Sequence, residues 1–386
     1  MMRYTGVSDF EGHYASLYGP RWPGISKGLR RSIRHVNLIP PFFSHIPEQL
    51  EMEEAVPSDV SVEELNGSMY YRSGSLPLCY KALEFNKANH HNPDPNTIAL
   101  YEKKAVFNAN SFVSTVAECA CTIDYGVAYA CHCLGVEPGD KVLDMFGHTG
   151  RHSLIFASLL FHHNESYTGI LDESKSTTEV VALINKLKEK TQTNDNTSLL
   201  VCSESRRSMH EKSVETLGRY LPEKLLNSMS IQCVCYDPED SNLQRFGKFN
   251  RIFIRMPQLM DNSTLGKWNM RSVKASSKKA LAALNAAVKL LKDGGSIIYC
   301  THSLDPMENE LVIHTVLDSS PCLRHEPIDL NAILETLYER LNWKVDLSDL
   351  PNVETRKYGC ALMPDETPYG PIYMCKIVLQ KKQTRH

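Results

Sequence analysis

The sequence predicts an α/β protein with a doubly wound, mainly parallel sheet, and three observations support this fold class. Short apolar runs typical of buried strands recur from residue 141 to the end of the chain. Longer segments with helical patterning, such as "STTEVVALINKLKEK" and "KKALAALNAAVKLLKD", lie between them. Strands and helices that alternate at these lengths favour a parallel sheet covered by helices. Ligands are then expected at the carboxyl ends of the strands.

Composition indicates a soluble globular protein. The 386 residues are 42% hydrophobic and 23% charged, with a formal net charge of -3, which disfavours disordered and fibrous classes. No run of eighteen apolar residues occurs, so no membrane span is predicted. The 12 cysteines are scattered along the chain, which predicts free thiols in a reducing compartment.

Residues 1–110 are predicted to form an N-terminal extension, irregular but with some helices, ahead of a domain at 111–386. Turn-forming stretches such as "YGPRWPG", "LIPPFF" and "HNPDPN" interrupt the extension. No acidic residue occurs from Gly12 to Pro47, and the charge sign reverses from Glu48 to Glu64. This asymmetry indicates either surfaces for different partners or two solvated faces.

The first element of the domain is predicted to be one long helix, "NSFVSTVAECACTIDYGVAYACHCLG", followed by a turn and the strand "KVLDMF". Its two Cys-x-Cys pairs predict no metal site, because residues two apart on a helix diverge. Five further strands are predicted at 167–172, 230–237, 250–256, 295–301 and 371–379.

A glycine-containing turn in "VLDMFGHTGRHSLIF" joins the first strand to a helix, at Gly147 and Gly150. Such a turn can direct helix N-terminal amides at a ligand. Asp172 ends the next predicted strand and Asp237 ends the one after it. Carboxylates at those positions suit ribose hydroxyls and an adenine amino group, so the three features together predict an S-adenosylmethionine type of pocket.

The whole arrangement resembles the Nop/Sun family of RNA cytosine-5 methyltransferases, and within it the mitochondrial ribosomal member that works with an mTERF-type partner. The segments that carry the resemblance are "DFEGHYASLYGPRWPGISKGL", "VEPGDKVLD", "YCTHSLDPMENELVI" and "YGPIYMCKI". The resemblance implies a Rossmann-like, S-adenosylmethionine-dependent methyltransferase fold with seven strands.

The cofactor turn departs from the pattern that the resemblance implies. Where the family has Pro-Gly-Gly-Lys, this chain places Arg151 at the second glycine and His152 at the lysine. A backbone that approaches a ligand closely favours glycine. The remaining Gly147, Gly150, Asp172 and Asp237 are therefore interpreted as a vestigial cofactor site, and we expect no cofactor, with S-adenosylmethionine as the one candidate.

The catalytic motifs depart further. The family sequence Asp-x-Pro-Cys corresponds to Arg255-Met-Pro-Gln258, and the second family cysteine corresponds to His302. A glutamine amide is not a nucleophile, and a permanently charged arginine cannot exchange protons. Cys300 lies two residues from the expected position, roughly 6.6 Å along a strand, and is predicted to be a core thiol.

A basic segment follows these positions. Residues 262–292 carry no acidic side chain, and they include Lys267, Trp268, Arg271, Lys274, Lys278 and Lys279. Basic residues with an aromatic suit phosphate contact and base stacking, so these residues are predicted to bind RNA. The alternative is a helix with a solvated lysine face.

The sequence thus predicts a catalytically inactive methyltransferase-like protein that binds ribosomal RNA. The resemblance further implies an assembly factor of the mitochondrial large ribosomal subunit in the matrix, with an mTERF-like partner, other assembly factors and ribosomal proteins. Three alternatives stay open: an active S-adenosylmethionine-dependent rRNA methyltransferase, a methyltransferase acting on a nitrogen and suggested by "YDPED", and a protein-only scaffold.

Overall fold

The computed structural model describes residues 7–30, 35–39, 79–81, 121–161, 198–257, 268–329, 332–333, 352–367 and 369–381. Asp172, Gln258, Lys267 and the predicted strand at 167–172 lie outside the described residues. Among the described residues, no helix has the length and apolar character needed to cross a membrane.

A central sheet of nine strands organises the described part of the domain, which confirms the predicted α/β class. Five neighbouring strands run parallel in the order β8, β7, β4, β5, β6, and the remaining strands add an antiparallel side. The family resemblance implied seven strands, and the difference comes from short edge strands that carry little periodic signal. The strands are β4 Lys141–Asp144, β5 Leu199–Ser203, β6 Ile231–Val234, β7 Phe249–Arg255, β8 Leu291–Thr301, β9 Leu323–Glu326, β10 Glu354–Thr355, β11 Cys360–Leu362 and β12 Ile372–Leu379.

Successive side chains of each strand point to opposite sides of the sheet, so the buried strands present apolar residues on both faces. Helices cover both of these faces. In β4, Val142 packs into the core on one face and Leu143 into the core on the other. The α-helices of the domain are α3 Tyr125–Cys133, α4 Arg151–Phe161, α5 Arg207–Tyr220, α6 Glu223–Asn227, α7 Met270–Leu290 and α8 Glu310–Ser319.

The described part of the segment predicted as one long helix before β4, residues 121–135, is instead a strand followed by a helix. Cys121–Asp124 forms β3, which pairs with β1 His35–Ile39, and β1 also pairs with β2 Cys79–Lys81. Helix α3 begins after Asp124, whose carboxylate accepts a hydrogen bond from the Val127 amide and so caps the helix. The helix start at Asp124 was missed in the sequence because the residues on both sides of it are mostly small and apolar.

Two N-terminal helices, α1 Val7–Tyr18 and α2 Trp22–Leu29, pack directly on the domain. Phe10, Tyr14, Trp22 and Ile25 share an apolar cluster with Trp268 and with buried residues beyond β8 and around β11. Arg21 pairs with Asp365 and Glu354, and His13 lies 2.8 Å from Asp305. These two helices of the N-terminal segment therefore contribute to a core with the domain.

Candidate functional site

The carboxyl ends of the parallel strands meet at one edge of the sheet, and the strand order reverses there between β4 and β7. Ligands of doubly wound folds bind at such a switch point. The glycine turn after β4, the acidic residue after β5, Arg255 at the end of β7 and His302 after β8 all lie at this edge. The structure therefore places the glycine turn, Arg255 and His302 at one edge of the sheet, while Gln258 lies outside the described residues.

The glycine turn is held tightly against β5. The Gly147 amide donates to the Ser203 carbonyl at 2.9 Å, and a Cβ on Gly147 would lie 2.2 Å from the Cys202 sulfur. Gly150 has φ +81°, a conformation that favours glycine, and a Cβ there would lie 2.9 Å from the Ser213 carbonyl oxygen. Both glycines are thus required by the fold of the turn itself.

Glu204, which sequence reasoning missed, supplies the carboxylate after the second strand of the sheet. Residues 167–172 were expected to form the strand next to β4, but β5 pairs with β4 instead. Glu204, which follows β5, therefore occupies the position expected for Asp172. The signal was the continuous apolar run "LLVCS" ahead of an acidic residue. Asp237 follows β6 as predicted, and its side chain is exposed.

The Glu204 carboxylate is already occupied within the chain. One oxygen accepts from the backbone amide and Nε of Arg206, and the other accepts from the His148 amide at 3.1 Å. The side chain is 1% exposed. Ribose hydroxyls would have to displace the half-exposed Arg206, so in this arrangement the residues do not fit S-adenosylmethionine.

The first turn of α4 carries further buried polar groups. Ser153 donates to one Asp144 oxygen at 2.7 Å, while the other Asp144 oxygen has no hydrogen-bond partner among the described residues. His152 is buried against Phe253, and its Nδ1 lies 3.7 Å from Asp144. Arg151 is exposed. The charged Lys implied by the family resemblance is therefore replaced here by a buried imidazole.

Arg255 and His302 contact each other at the position predicted for the catalytic groups. An Arg255 Nη2 hydrogen bonds to His302 Nε2 at 3.1 Å, and His302 Nδ1 lies 2.8 Å from the Pro371 carbonyl oxygen. Because a carbonyl only accepts, Nδ1 carries the proton and Nε2 accepts from Arg255. Burial lowers the pKa of His302 to about 4, with the nearby Arg255 acting in the same direction and Asp124 opposing it. The ring is therefore neutral near pH 7.

Cys300 is fully buried on β8, which confirms the prediction of a core thiol. Burial raises its pKa to about 12, and the positive charge of Arg255 only partly offsets this. The thiolate is the reactive form of cysteine, and it is almost absent from such a site at neutral pH. Among the described residues no cluster of three or more His, Cys, Asp or Glu side chains could hold a metal ion.

The residues after His302 build a loop rather than a nucleophilic site. Ser303 donates to Glu308, and Asn309 donates to the Ser303 carbonyl and accepts from Thr301. Tyr299 also donates to the Glu308 carbonyl. Each polar group has a structural partner, so the segment holds the end of β8 against the start of α8.

Trp268 corrects one predicted role. Its side chain is 7% exposed and packs against Phe10 and Tyr14, with ring centroids 5.7 Å away in each case. It cannot offer a face to an RNA base, because the N-terminal helices take that face. The basic side chains fare differently: Arg271, Lys274 and Lys278 are exposed along one face of α7, and Lys279 lies 5.5 Å from the Phe146 ring centroid beside the glycine turn.

Comparison with known proteins agrees with this geometry. Residues 221–356, which contain Arg255 and His302, match the family model "16S rRNA methyltransferase RsmB/F". Over these residues the chain is similar to RsmB/F-type RNA methyltransferases. Two curated relatives come from Mus musculus: the mitochondrial tRNA (cytosine(34)-C(5))-methyltransferase, 26% identical over 188 residues, and tRNA (cytosine(72)-C(5))-methyltransferase NSUN6, 22% identical over 300 residues.

The alignments cover 46% and 71% of this chain, and the chain spans about half the length of each curated protein, 50% and 54%. Two solved structures from Pyrococcus horikoshii share its fold. A methyltransferase homolog has TM-score 0.56 at 15% identity, covering 95% of this chain and 93% of that one. NSun6 with SFG has TM-score 0.56 at 14% identity, covering 97% and 98%. The fold is therefore the Rossmann-like fold of S-adenosylmethionine-dependent methyltransferases, as predicted.

Proposed function

We propose that this protein is a catalytically inactive RNA methyltransferase relative that binds ribosomal RNA and assists assembly of the mitochondrial large ribosomal subunit. One observation carries the proposal: a neutral His302 bonded to Arg255 occupies the strand ends where the resemblance expects a sulfur nucleophile and a carboxyl group. A guanidinium is not a nucleophile, and the Nε2 lone pair of His302 is held by Arg255, so neither group is placed to form the covalent adduct with a pyrimidine that cytosine-5 transfer requires.

The electrostatics of the pocket support the same conclusion. Arg255 carries a fixed positive charge and cannot act as a proton-transferring acid or base. His302 Nδ1 donates to the Pro371 carbonyl, and the Nε2 lone pair accepts from Arg255. The ring therefore has no unbonded nitrogen that could accept a proton from a substrate. Cys300 is protonated and buried. The described pocket thus holds a charged anchor without a reactive group.

The cellular setting of the proposal rests on resemblance. A mitochondrial matrix location agrees with the name of one mouse relative, which is a mitochondrial enzyme. The proposed partners are mitochondrial ribosomal RNA, an mTERF-like helical-repeat protein, and other large-subunit assembly factors and ribosomal proteins. No cofactor is proposed, because the Glu204 carboxylate is engaged by Arg206 and His148.

A covalent trapping experiment tests inactivity. RNA that contains 5-fluorocytidine, incubated with the protein and S-adenosylmethionine, should give no denaturation-resistant complex, because no thiolate is available in the described pocket. The mouse tRNA (cytosine(34)-C(5))-methyltransferase with its own substrate serves as the positive control. Calorimetric titration with S-adenosylmethionine should likewise show no binding. A crosslink that a single cysteine substitution abolishes would contradict inactivity.

The second candidate is an active S-adenosylmethionine-dependent rRNA methyltransferase. The position of Glu204 favours it, because a carboxylate after the second strand suits ribose and the pairing Arg206 is 47% exposed and can move. Cofactor binding in the titration, together with a methyl group on ribosomal RNA that is lost on depletion and restored by the intact protein, would establish this candidate.

RNA binding is tested by reversing charge on α7. We expect Arg271→Glu, Lys274→Glu and Lys278→Glu together to flatten the plot of log affinity against log salt by about 2 units, since each single-strand phosphate contact contributes about 0.7. A fluorescence anisotropy titration of labelled mixed-sequence RNA at several salt concentrations measures this slope.

The matched control reverses three exposed charges on another helical layer: Lys212→Glu, Arg219→Glu and Lys224→Glu. It makes the same change in net charge and should leave the slope near the wild-type value. An equal flattening of the salt slope in both triple variants would indicate a general charge effect. An unchanged slope in the α7 variant would show that its basic side chains are a solvated face that does not contact RNA.

A further inference from the structure

Arg255 is a partly buried guanidinium that has no counterion among the described residues. Within the described ranges its hydrogen-bond partner is the neutral ring of His302, and its Nε is buried with no partner. No carboxylate of the described residues forms an ion pair with it. A desolvated charge of this kind is unfavourable unless an anion compensates it.

Part of the guanidinium has no partner among the described residues. His302 accepts from Nη2, and the Pro371 carbonyl fixes the imidazole so that its lone pair faces Arg255. This orients the plane of the guanidinium, while the buried Nε has no hydrogen-bond partner in the part of the chain that the structure describes. Arginine binds the oxygens of phosphate through two parallel N–H donors, which is the arrangement that a fixed edge favours.

The nearby carboxylates are only partly engaged by other groups. One Asp144 oxygen accepts from Ser153 and the other has no partner among the described residues, while one Asp124 oxygen accepts from the Val127 amide and the other lies 3.8 Å from His302 Nε2. Arg206 is paired with Glu204. The unpaired N–H groups of Arg255 are therefore the observation that favours an anion here.

We propose that Arg255, positioned by His302, binds a phosphodiester group of an RNA strand in the cleft at the carboxyl ends of β7 and β8. The inference rests on the proposed RNA-binding function and deepens it. It assigns an RNA-binding contact to the strand ends where the family resemblance expects catalytic groups. His302 is a positioning residue in this arrangement, since it accepts from Arg255 and donates nothing to the phosphate.

The test measures the affinity of Arg255→Gln for a labelled mixed-sequence single-stranded RNA at several salt concentrations. We expect affinity to fall about tenfold and the salt slope to flatten by about 0.7, the contribution of one single-strand phosphate contact. Arg255→Lys keeps the charge and should keep the slope while binding more weakly, because it lacks the two-donor edge. Arg324→Gln, at the exposed edge strand β9, removes one charge elsewhere and should change neither quantity.

Thermal unfolding separates binding from folding. Removing a guanidinium that has no counterion should leave the melting temperature of Arg255→Gln unchanged or higher, whereas a structural role would lower it. Inorganic phosphate is the second probe: its competition with RNA for the wild type should disappear in Arg255→Gln.

The outcomes distinguish the two levels of the proposal. If the wild type binds RNA and Arg255→Gln keeps its affinity and slope, the Arg255 contact is wrong and RNA binding stands. If the wild type shows no salt-dependent RNA binding, the proposed function itself fails. A lower melting temperature with wild-type slope in Arg255→Lys and Arg255→Gln would assign Arg255 a structural role and overturn the inference.

Discussion

Trp268→Ala is expected to destabilise the protein by about 3–5 kcal/mol, the usual cost of truncating a large buried aromatic side chain. The indole is 7% exposed and lies within 5.7 Å of the rings of Phe10, His13 and Tyr14. Its loss opens a cavity between the N-terminal helices and the domain, and surrounding backbone can close that cavity only in part. Urea unfolding followed by far-ultraviolet circular dichroism measures the change.

The same substitution should free α1 and α2 before the domain unfolds. Limited proteolysis of Trp268→Ala is expected to cut near residues 7–29 faster than in the wild type, while Trp268→Phe, which keeps most of the packing, should resemble the wild type. Leu311→Ala serves as a control, because Leu311 is 50% exposed and its truncation should cost little. A stability loss in Trp268→Ala no larger than that of Leu311→Ala would show that the aromatic cluster does not hold the helices.

Mild acid is expected to weaken the fold through His302. Its folded-state pKa is lowered to about 4 by burial, against an ordinary value of 6.5, so the unfolded chain binds a proton that the folded chain refuses. The stability associated with the neutral ring is complete above the unfolded pKa and is lost as pH falls through the folded pKa. Between about pH 7 and about pH 5 the loss assigned to this residue is about 2 kcal/mol.

His302→Gln should remove that part of the pH dependence. A glutamine amide stays neutral, can donate to the Pro371 carbonyl and can accept from Arg255, so it replaces both observed contacts. The measurement is the free energy of unfolding of both proteins across this pH range, with the exposed His314→Gln as control. Parallel curves for wild type and His302→Gln would contradict the assignment.

Sequence reasoning located most of the sheet because buried strands are short and continuously apolar. It placed β4, β6, β7, β8 and β12 within a few residues and put Gly147, Gly150 and Asp237 at strand ends as observed. It missed β5, and with it Glu204, because two apolar runs compete for the second position of the sheet and periodicity alone does not rank them.

The roles of side chains were harder to predict than their positions. Arg255 and His302 were recognised as lacking the required chemistry, but their mutual hydrogen bond depends on the Pro371 carbonyl, which is distant in sequence. Trp268 resembled a stacking residue because its neighbours are basic, and its burial follows from helices more than 240 positions earlier in the chain. Such long-range packing is not encoded in a local window.

The ion pairs and aromatic cluster that join α1 and α2 to the domain have a consequence for biosynthesis. Arg21 meets Asp365 across 344 positions, so most of the polypeptide must leave the ribosome before the first two helices can dock. Until then Phe10, Tyr14 and Trp22 can pack on one another but lack the domain residues of their cluster. Because partly covered apolar surface promotes aggregation, we expect chaperones to associate with the chain before the helices dock.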